Sequence, residues 1–338
     1  MKKLISLICV LAMVLALAAC GSSAPAAATE APAASTEAPA EGVSADKTFV
    51  VGICQLVQHP ALDAATQGFK DALTEALGDK VTFQEQNASG DSATCSLICN
   101  QFVSDEVDLI MANATASIQA AASATNTIPI LGTSITDYGV ALGVDNWTGV
   151  SGTNISGTSD LAPLDGQAAM IQELFPDAKT IGLLYCSGEP NSIFQADSME
   201  ALLTDMGYSV ERYTFADSND VSSVTANACS NADVLYIPTD NTAASCTEAI
   251  NNVALSAGIP IVAGEEGIAA GCGAATLSIS YYDLGCATGE MAAEILTEGA
   301  DISTMEVRFA PAFTKEYNAD ICEALNVTVP EDYVAIAK

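Results

Sequence analysis

From Lys47 onward, short runs rich in β-branched residues alternate with segments of helical length, and this alternation confines the chain to a parallel α/β architecture. Residues 48–53, 81–84, 108–112 and 128–131 read as strands, and residues 60–77, 91–103 and 116–124 as the helices between them. Pro60 stands early in its helix and Gly78 just past the end, the expected asymmetry of a helix start and stop. Parallel strands need a long crossover, usually a helix, so strand–helix–strand repeats imply a parallel sheet. Residues 139–160 are rich in Gly, Thr, Ser and Asn and lack helical periodicity. The alternation then resumes, with helices at 163–175, 189–206, 221–229 and 243–257 and strands at 180–185, 210–214, 234–237 and 259–262. Two α/β blocks of similar size, joined by extended segments, predict two lobes with a cleft between them. Ligands of open parallel sheets bind beyond the carboxyl ends of the strands, so the strand-to-helix loops are where function is to be sought.

The amino-terminal part reads as processing and tethering rather than fold. Lys2 and Lys3 precede an apolar run over residues 4–16, and Leu17-Ala18-Ala19-Cys20 has the small-residue pattern of a cleavage site. The run is short for a bilayer span. Leu-Ala-Ala-Cys resembles a bacterial lipobox, which predicts a lipoprotein signal over residues 1–20 with Cys20 as the lipidated residue. Residues 21–46 are Ala, Pro, Ser, Thr and Glu with almost nothing to bury, a composition that predicts a disordered tether. Lipid, tether and domain together describe a chain anchored to a membrane rather than spanning it.

Charge and cysteine usage exclude several functions. The formal net charge of −32, from 42 acidic and 10 basic residues, argues against nucleic acid and against a polybasic membrane contact. Beyond Cys9 and Cys20, nine cysteines are scattered singly, apart from Cys95-x-x-x-Cys99. Cys95, Ile98, Cys99 and Phe102 share one helical face, which predicts buried apolar packing. The only histidine is His59 and no Cys-x-x-Cys occurs, so no metal site is expected. The loop Cys54–His59 lacks a dinucleotide fingerprint and no Walker loop is present, so no cofactor is expected.

The strand-end loops share one chemistry. Residues 133–137, 188–192, 239–242 and 264–267 offer Asp, Glu, Asn, Ser and Thr without a single Lys or Arg. A site for phosphate or a dicarboxylate normally uses a fixed cation. These loops instead offer acceptors for a cationic group, while helix amino termini supply backbone donors for one carboxylate. That combination fits a zwitterionic amino acid. Ordinary helix capping accounts for any one of these residues equally well, since Ser192, Asp240 and Asn241 stand where caps belong.

An ordered set of short motifs carries a family resemblance. Val51-Gly52-Ile53, His59-Pro60-Ala61-Leu62-Asp63, Gly68-Phe69, Gln86-Asn87-Ala88-Ser89-Gly90-Asp91 and Thr136-Asp137 occur in the first half. Asn191-Ser192 with Gln195, Pro238-Thr239-Asp240-Asn241-Thr242, Gly264-Glu265-Glu266-Gly267 and Tyr281-Tyr282-Asp283-Leu284-Gly285 occur in the second. From about residue 48 to the carboxyl terminus the chain resembles the ABC transporter substrate-binding protein family that includes tryptophan- and tyrosine-type binding proteins. The resemblance implies an α/β fold of two Rossmann-like lobes with parallel sheets, a type I periplasmic-binding-protein architecture with three crossovers, near residues 155–162, 278–282 and 305–309. Lobe 1 would then comprise residues 47–157 and 282–306, and lobe 2 residues 158–281 and 307–338. It also implies a ligand set of Gln55, His59, Thr115, Thr136 and Asp137 from lobe 1, with Asn191, Ser192, Gln195, Asp240, Asn241, Thr242 and Glu265 from lobe 2. The expected ligand is an amino acid, an aromatic one (Trp, Phe or Tyr) above others. The expected partners are an ABC permease and its ATPase, and a monomer is expected. Two departures border the expected pocket: Tyr138 where relatives often have Pro, and Ala114-Thr115-Ala116-Ser117-Ile118-Gln119 where they often have Ala-Thr-Pro-Ala-Ala-Gln.

Two other functions compete with this one. A Cys/His hydrolase would have to use His59, with Cys54 five residues before it, yet Cys54 belongs to a buried strand and His59 to a helix start. A sensory or chemotaxis receptor lobe would have the same fold and pocket. Asp240 carries the most weight in the site: as the acceptor of a ligand ammonium, its change to Asn should leave the helix cap intact while lowering affinity at least about tenfold. Trp147 is expected to pack rather than to stack on ligand.

Overall fold

The structure is a computed structural model that describes residues 47–310 and 312–337. The expected signal segment, Cys20 and the expected tether lie outside the described residues. Among the described residues no helix is long and apolar enough to cross a membrane.

The first run of elements is β1 (Phe49–Gln55), α1 (Pro60–Leu77), β2 (Val81–Asn87), α2 (Ser92–Ser104), β3 (Leu109–Asn113), α3 (Thr115–Ala124), β4 (Ile130–Ile135), α4 (Tyr138–Leu142) and β5 (Ile155–Ser159). The second is α5 (Leu164–Leu174), β6 (Thr180–Cys186), α6 (Pro190–Asp205), β7 (Ser209–Phe215), α7 (Val221–Cys229), β8 (Val234–Ile237), α8 (Asn241–Ser245), α9 (Thr247–Ala257), β9 (Ile261–Ala263), α10 (Glu266–Cys272) and β10 (Ala275–Ser278). The chain then returns to the first lobe through α11 (Tyr281–Ala293) and β11 (Arg308–Phe309), and ends in the second with β12 (Thr314–Tyr317), α12 (Ala319–Leu325) and β13 (Val334–Ala335). One sheet has the order β11-β5-β4-β3-β1-β2 and the other β13-β12-β10-β9-β8-β6-β7. Every pairing is parallel except that of β10 with β12. This is a two-lobed α/β architecture, with helices covering parallel-dominated sheets, as the resemblance implies.

Burial explains why the sequence periods hold. β3 and β4 are buried at every position, as strands covered on both faces require. Cys95, Ile98, Cys99 and Phe102 on α2 are all buried, and the Phe102 ring lies where a side chain on Gly52 of β1 would stand, 2.6 Å from the ideal Cβ position. α1 and α11 pack backbone against backbone. A Cβ on Gly68 would lie 2.1 Å from the Tyr282 carbonyl oxygen, and one on Gly285 2.0 Å from that of Ala65. Glycine alone allows this approach. It seats α11, which follows the second crossing, firmly on the first lobe.

β5 stays in the first sheet through Ser159, so the chain leaves that sheet at residues 160–163, overlapping the expected crossing near 155–162. β11 still pairs with β5 through Arg308 and Phe309, so the chain leaves the first sheet after Phe309, at the end of the expected 305–309. Such short strands carry no readable period, and only their partners define them. The predicted helix over 243–257 is in fact two, α8 and α9, broken at Cys246, whose ψ of 17° and φ of −121° leave the helical region. The irregular stretch 139–160 holds the one-turn helix α4 and the strand β5.

Candidate functional site

The carboxyl ends of both sheets face one another across a small cavity. It is lined by His59, Leu62, Ser134, Thr136 and Asp160 from the first lobe and its exit, and by Asn191, Thr239, Asp240, Asn241, Ala244 and Glu265 from the second. Tyr281, at the start of α11, completes the wall. They lie at strand ends, in the loops that follow, in the first turn of the next helix or at a crossing. His59 precedes α1, Ser134 lies near the end of β4 with Thr136 just past it, and Asp160 follows β5. Asn191 opens α6, residues 239–241 lead into α8, and Glu265 caps α10.

The cleft is closed by side chains that meet across it. His59 Nε2 lies 3.3 Å from Asn241 Oδ1, and the Thr136 and Thr239 hydroxyls are 3.2 Å apart. On the second lobe a polar network fixes these partners. Gln195 Nε2 donates to the Thr239 hydroxyl and Gln195 Oε1 accepts from the Thr239 amide. Asn191 Nδ2 donates to the Thr239 carbonyl at 2.9 Å. Glu189 accepts from the amides of Asn241 and Thr242, from Asn241 Nδ2, from the Thr242 hydroxyl and from Asn191 Nδ2. One carboxylate therefore holds the first turn of α8 and the side chain that reaches across the cleft.

Three carboxyl groups line the cavity and no Lys or Arg does. Asp240 accepts from the Ala243 amide at 2.8 Å, capping α8, and from the Cys186 amide at 2.6 Å at the end of β6. Burial raises its pKa, and nearby Glu189 adds to the rise. Glu265 caps α10 through the amides of Gly267 and Ile268, both at 2.6 Å, yet burial pushes it up to about 7. Asp160 is raised by burial as well, against the Tyr281 and Thr136 hydroxyls, which favour its charged form. Burial without a cation disfavours the charged form, and the remedy is a positive group supplied from elsewhere.

Asp160 stands apart from the other two. Its Oδ2 accepts from the Tyr281 hydroxyl at 2.9 Å, while Oδ1 is buried with no partner. His59 Nδ1 and Ser134 Oγ are likewise buried and unpartnered, and both residues line the same cavity. Buried polar atoms are rarely left unmatched, so three around one small space indicate a place for a polar ligand.

The sequence-derived set divides in two. His59, Thr136, Asn191, Asp240, Asn241 and Glu265 line the cavity, and Gln195 and Ser192 support it from behind. Gln55 does not reach it: its amide donates to Val57 O and Asp63 Oδ1, and Thr66 donates to its Oε1, all within the first lobe. Thr115 is buried in the first turn of α3, away from the cavity. Asp137 caps α4 through the Val140 amide at 2.7 Å. Thr242 faces an outer groove, lined also by Leu56, Val57 and Asp91, and Asn241 lines both this groove and the cavity. Sequence reasoning missed Leu62, Ser134, Asp160, Thr239, Ala244 and Tyr281 as lining residues. Ser134 and Thr239 lay inside quoted loops and Tyr281 inside a quoted motif, whereas Asp160 gave no signal beyond a place near a crossing.

The expectation that Asp240→Asn would spare the cap needs correction. Both carboxylate oxygens are engaged by backbone amides from different elements, and an Asn amide can accept only one of them. The two departures from the family pattern are packing features. Tyr138 is buried, reaches the carbonyls of Gly132 and Thr158 with its hydroxyl, and stacks on Trp147 at 5.7 Å. Ser117 meets the thiols of Cys54 and Cys95, and Gln119 donates to Ala141 O. Cys54 thus sits among other thiols, with its pKa pushed up to about 12, while His59 faces Asn241, so the two do not form a catalytic pair. Among the described residues no group of three or more His, Cys, Asp or Glu is placed to hold a metal ion.

Residues 50–338 match the family of ABC transporter substrate binding proteins. A tyrosine-binding protein of Clostridioides difficile (strain R20291) is 38% identical over 280 residues, 82% of this chain and 81% of the relative. A domain from Streptococcus pneumoniae, solved in complex with L-Trp, is 31% identical with a TM-score of 0.80, covering 84% of this chain and 97% of its own. A substrate-binding protein with adhesive properties from Clostridium difficile, solved ligand-free and open, is 37% identical yet has a TM-score of only 0.66, over 86% of this chain and 99% of its own. The more identical chain is the less similar in shape, as expected when one structure is open and the present cleft is closed.

Proposed function

The chain belongs to the ABC transporter substrate-binding protein family, and on that premise we propose that it captures an aromatic amino acid between its lobes and delivers it to an ABC permease. The observation that carries this reading is the cavity wall: three buried carboxyl groups, no Lys or Arg, and three unpartnered polar atoms. A ligand ammonium matches Asp160 Oδ1, the one cavity carboxylate oxygen without a donor. Glu265 lies near enough to feel the same charge. The ligand carboxylate needs neutral donors, which the hydroxyls of Ser134 and Thr136 supply. The ring then lies among Leu62, Ala244 and the face of His59. Relatives named for tyrosine or solved with L-Trp support an aromatic side chain.

In the same reading the chain works outside the cytoplasm, held to the membrane by lipid on Cys20 and acting as a monomer. Closure over ligand is the signal that a permease recognises, since only contacts to both lobes make a ligand favour the closed form. Mass spectrometry of small molecules that copurify with the protein, followed by calorimetry against the standard amino acids, tests the assignment. An aromatic L-amino acid should emerge as the tightest ligand. A preference for sugars, or for small aliphatic amino acids, would remove it.

A further inference from the structure

We propose that His59 is the specificity residue of the cavity, its Nδ1 accepting a hydrogen bond from the ligand's side chain, so that tyrosine or tryptophan is taken in preference to phenylalanine. The proposal rests on the amino-acid reading above and adds to it a rule for which ring is accepted.

The tautomer follows from the network across the cleft. Glu189 accepts five hydrogen bonds, one of them from Asn241 Nδ2 at 2.8 Å. A carboxylate accepting that bond fixes the amide nitrogen of Asn241 on its own side and turns Oδ1 toward His59. Asn241 Oδ1 is an acceptor, so His59 Nε2, 3.3 Å away, carries the hydrogen. In a neutral imidazole the other nitrogen is then a bare lone pair. That atom, Nδ1, is buried and unpartnered on a residue that lines the cavity and is only 6% exposed. Burial also favours the neutral ring, lowering its pKa against the opposing influence of Asn241, Glu189 and Asp63. The wall of the cavity therefore presents an acceptor that asks for a donor.

The ligand ammonium has a better match elsewhere, Asp160 Oδ1, a buried carboxylate oxygen on the same cavity that also lacks a partner. With the ammonium at Asp160, the donor left to meet Nδ1 is on the ring. A phenol hydroxyl or an indole N–H can donate to Nδ1, whereas the phenyl ring of phenylalanine leaves the acceptor buried and unmet. Sites built around such a bond reject the analogue that lacks the donor.

His59 can be changed without uncapping α1, since its side chain makes no cap hydrogen bond. Calorimetry on the full chain with L-tyrosine, L-tryptophan and L-phenylalanine is the test. In the wild type the tighter of the first two should bind at least about tenfold more tightly than phenylalanine, the factor that one unmet buried acceptor commands. His59→Leu loses the bond to Asn241 for every ligand, so the ratio is the readout. The ratio should collapse to within about threefold in this variant, with phenylalanine still bound. His59→Asn, whose Oδ1 can stand in for Nδ1, should keep the preference. Equal wild-type binding of all three amino acids, or an unchanged ratio in His59→Leu, overturns the proposal and leaves the amino-acid reading in place. Failure of all three to bind wild type overturns both.

Discussion

Replacing Asp160 with Asn separates a ligand contact from a structural one by the sign of two effects. Asp160 is 5% exposed, its Oδ2 accepts from Tyr281 at 2.9 Å, and its Oδ1 has no partner. An Asn keeps one carbonyl oxygen for the Tyr281 hydroxyl and removes the charge. Losing a charge-assisted contact to a buried ammonium costs about 2–5 kcal/mol of binding. At 1.4 kcal/mol per decade that is a loss of roughly 30-fold to several-thousand-fold in affinity. Stability should move the other way. The folded-state pKa of Asp160 is raised by burial, so its contribution to stability is present below the unfolded value and lost as pH rises through the folded one. Asn does not titrate, so at pH 8 the ligand-free variant should melt at or above the wild-type temperature. Calorimetry with the copurified ligand and thermal melts with and without it give both numbers. Affinity within about threefold of wild type removes Asp160 from the ammonium contact. A marked drop in the ligand-free melting temperature shows instead that the carboxylate holds the crossing together.

Four further outcomes are expected. Glu265, raised from 4.5 to about 7, should cost the ligand-free protein up to about 3 kcal/mol between pH 5 and 8, and Glu265→Gln should flatten that part of the stability curve in denaturant titrations. Asp240→Asn leaves one of two backbone amides without its acceptor, so it should lose about 1–3 kcal/mol of stability even without ligand; a melt like that of wild type would show that the bond to the Cys186 amide is dispensable. Small-angle scattering should show a smaller radius of gyration on adding ligand, since the contacts His59–Asn241 and Thr136–Thr239 form only when the lobes meet; tight binding without compaction would refute a hinged clamp. Cys20→Ser should release the protein from the membrane fraction, and unchanged membrane association with an unprocessed mass in both forms would refute the lipid anchor.

The sequence by itself determined the elements that local physics governs. Alternating strand and helix periods gave two α/β lobes, Pro60 and Gly78 bounded α1, and the shared face of Cys95, Ile98, Cys99 and Phe102 was legible because helical spacing is a local property. The cap at Asp240 was legible for the same reason, and it proves to be cap and cavity wall at once, as does Glu265. The tertiary structure alone decided which loop residues face the cavity. Gln55, Thr115 and Asp137 stand at the right strand ends, but the side chains of Gln55 and Asp137 are taken by neighbours within the first lobe and Thr115 is buried in the first turn of α3. Ser134 enters the wall where the β4–β5 register shifts, with its own φ at 56°, a conformation imposed by the sheet and not by its sequence neighbours. Asp160 and Tyr281 lie 121 positions apart and meet only because two crossings run side by side between the lobes. A hydrogen bond over that separation has no period and no local signature, so the residues that complete the site became visible only once the lobes were closed upon each other.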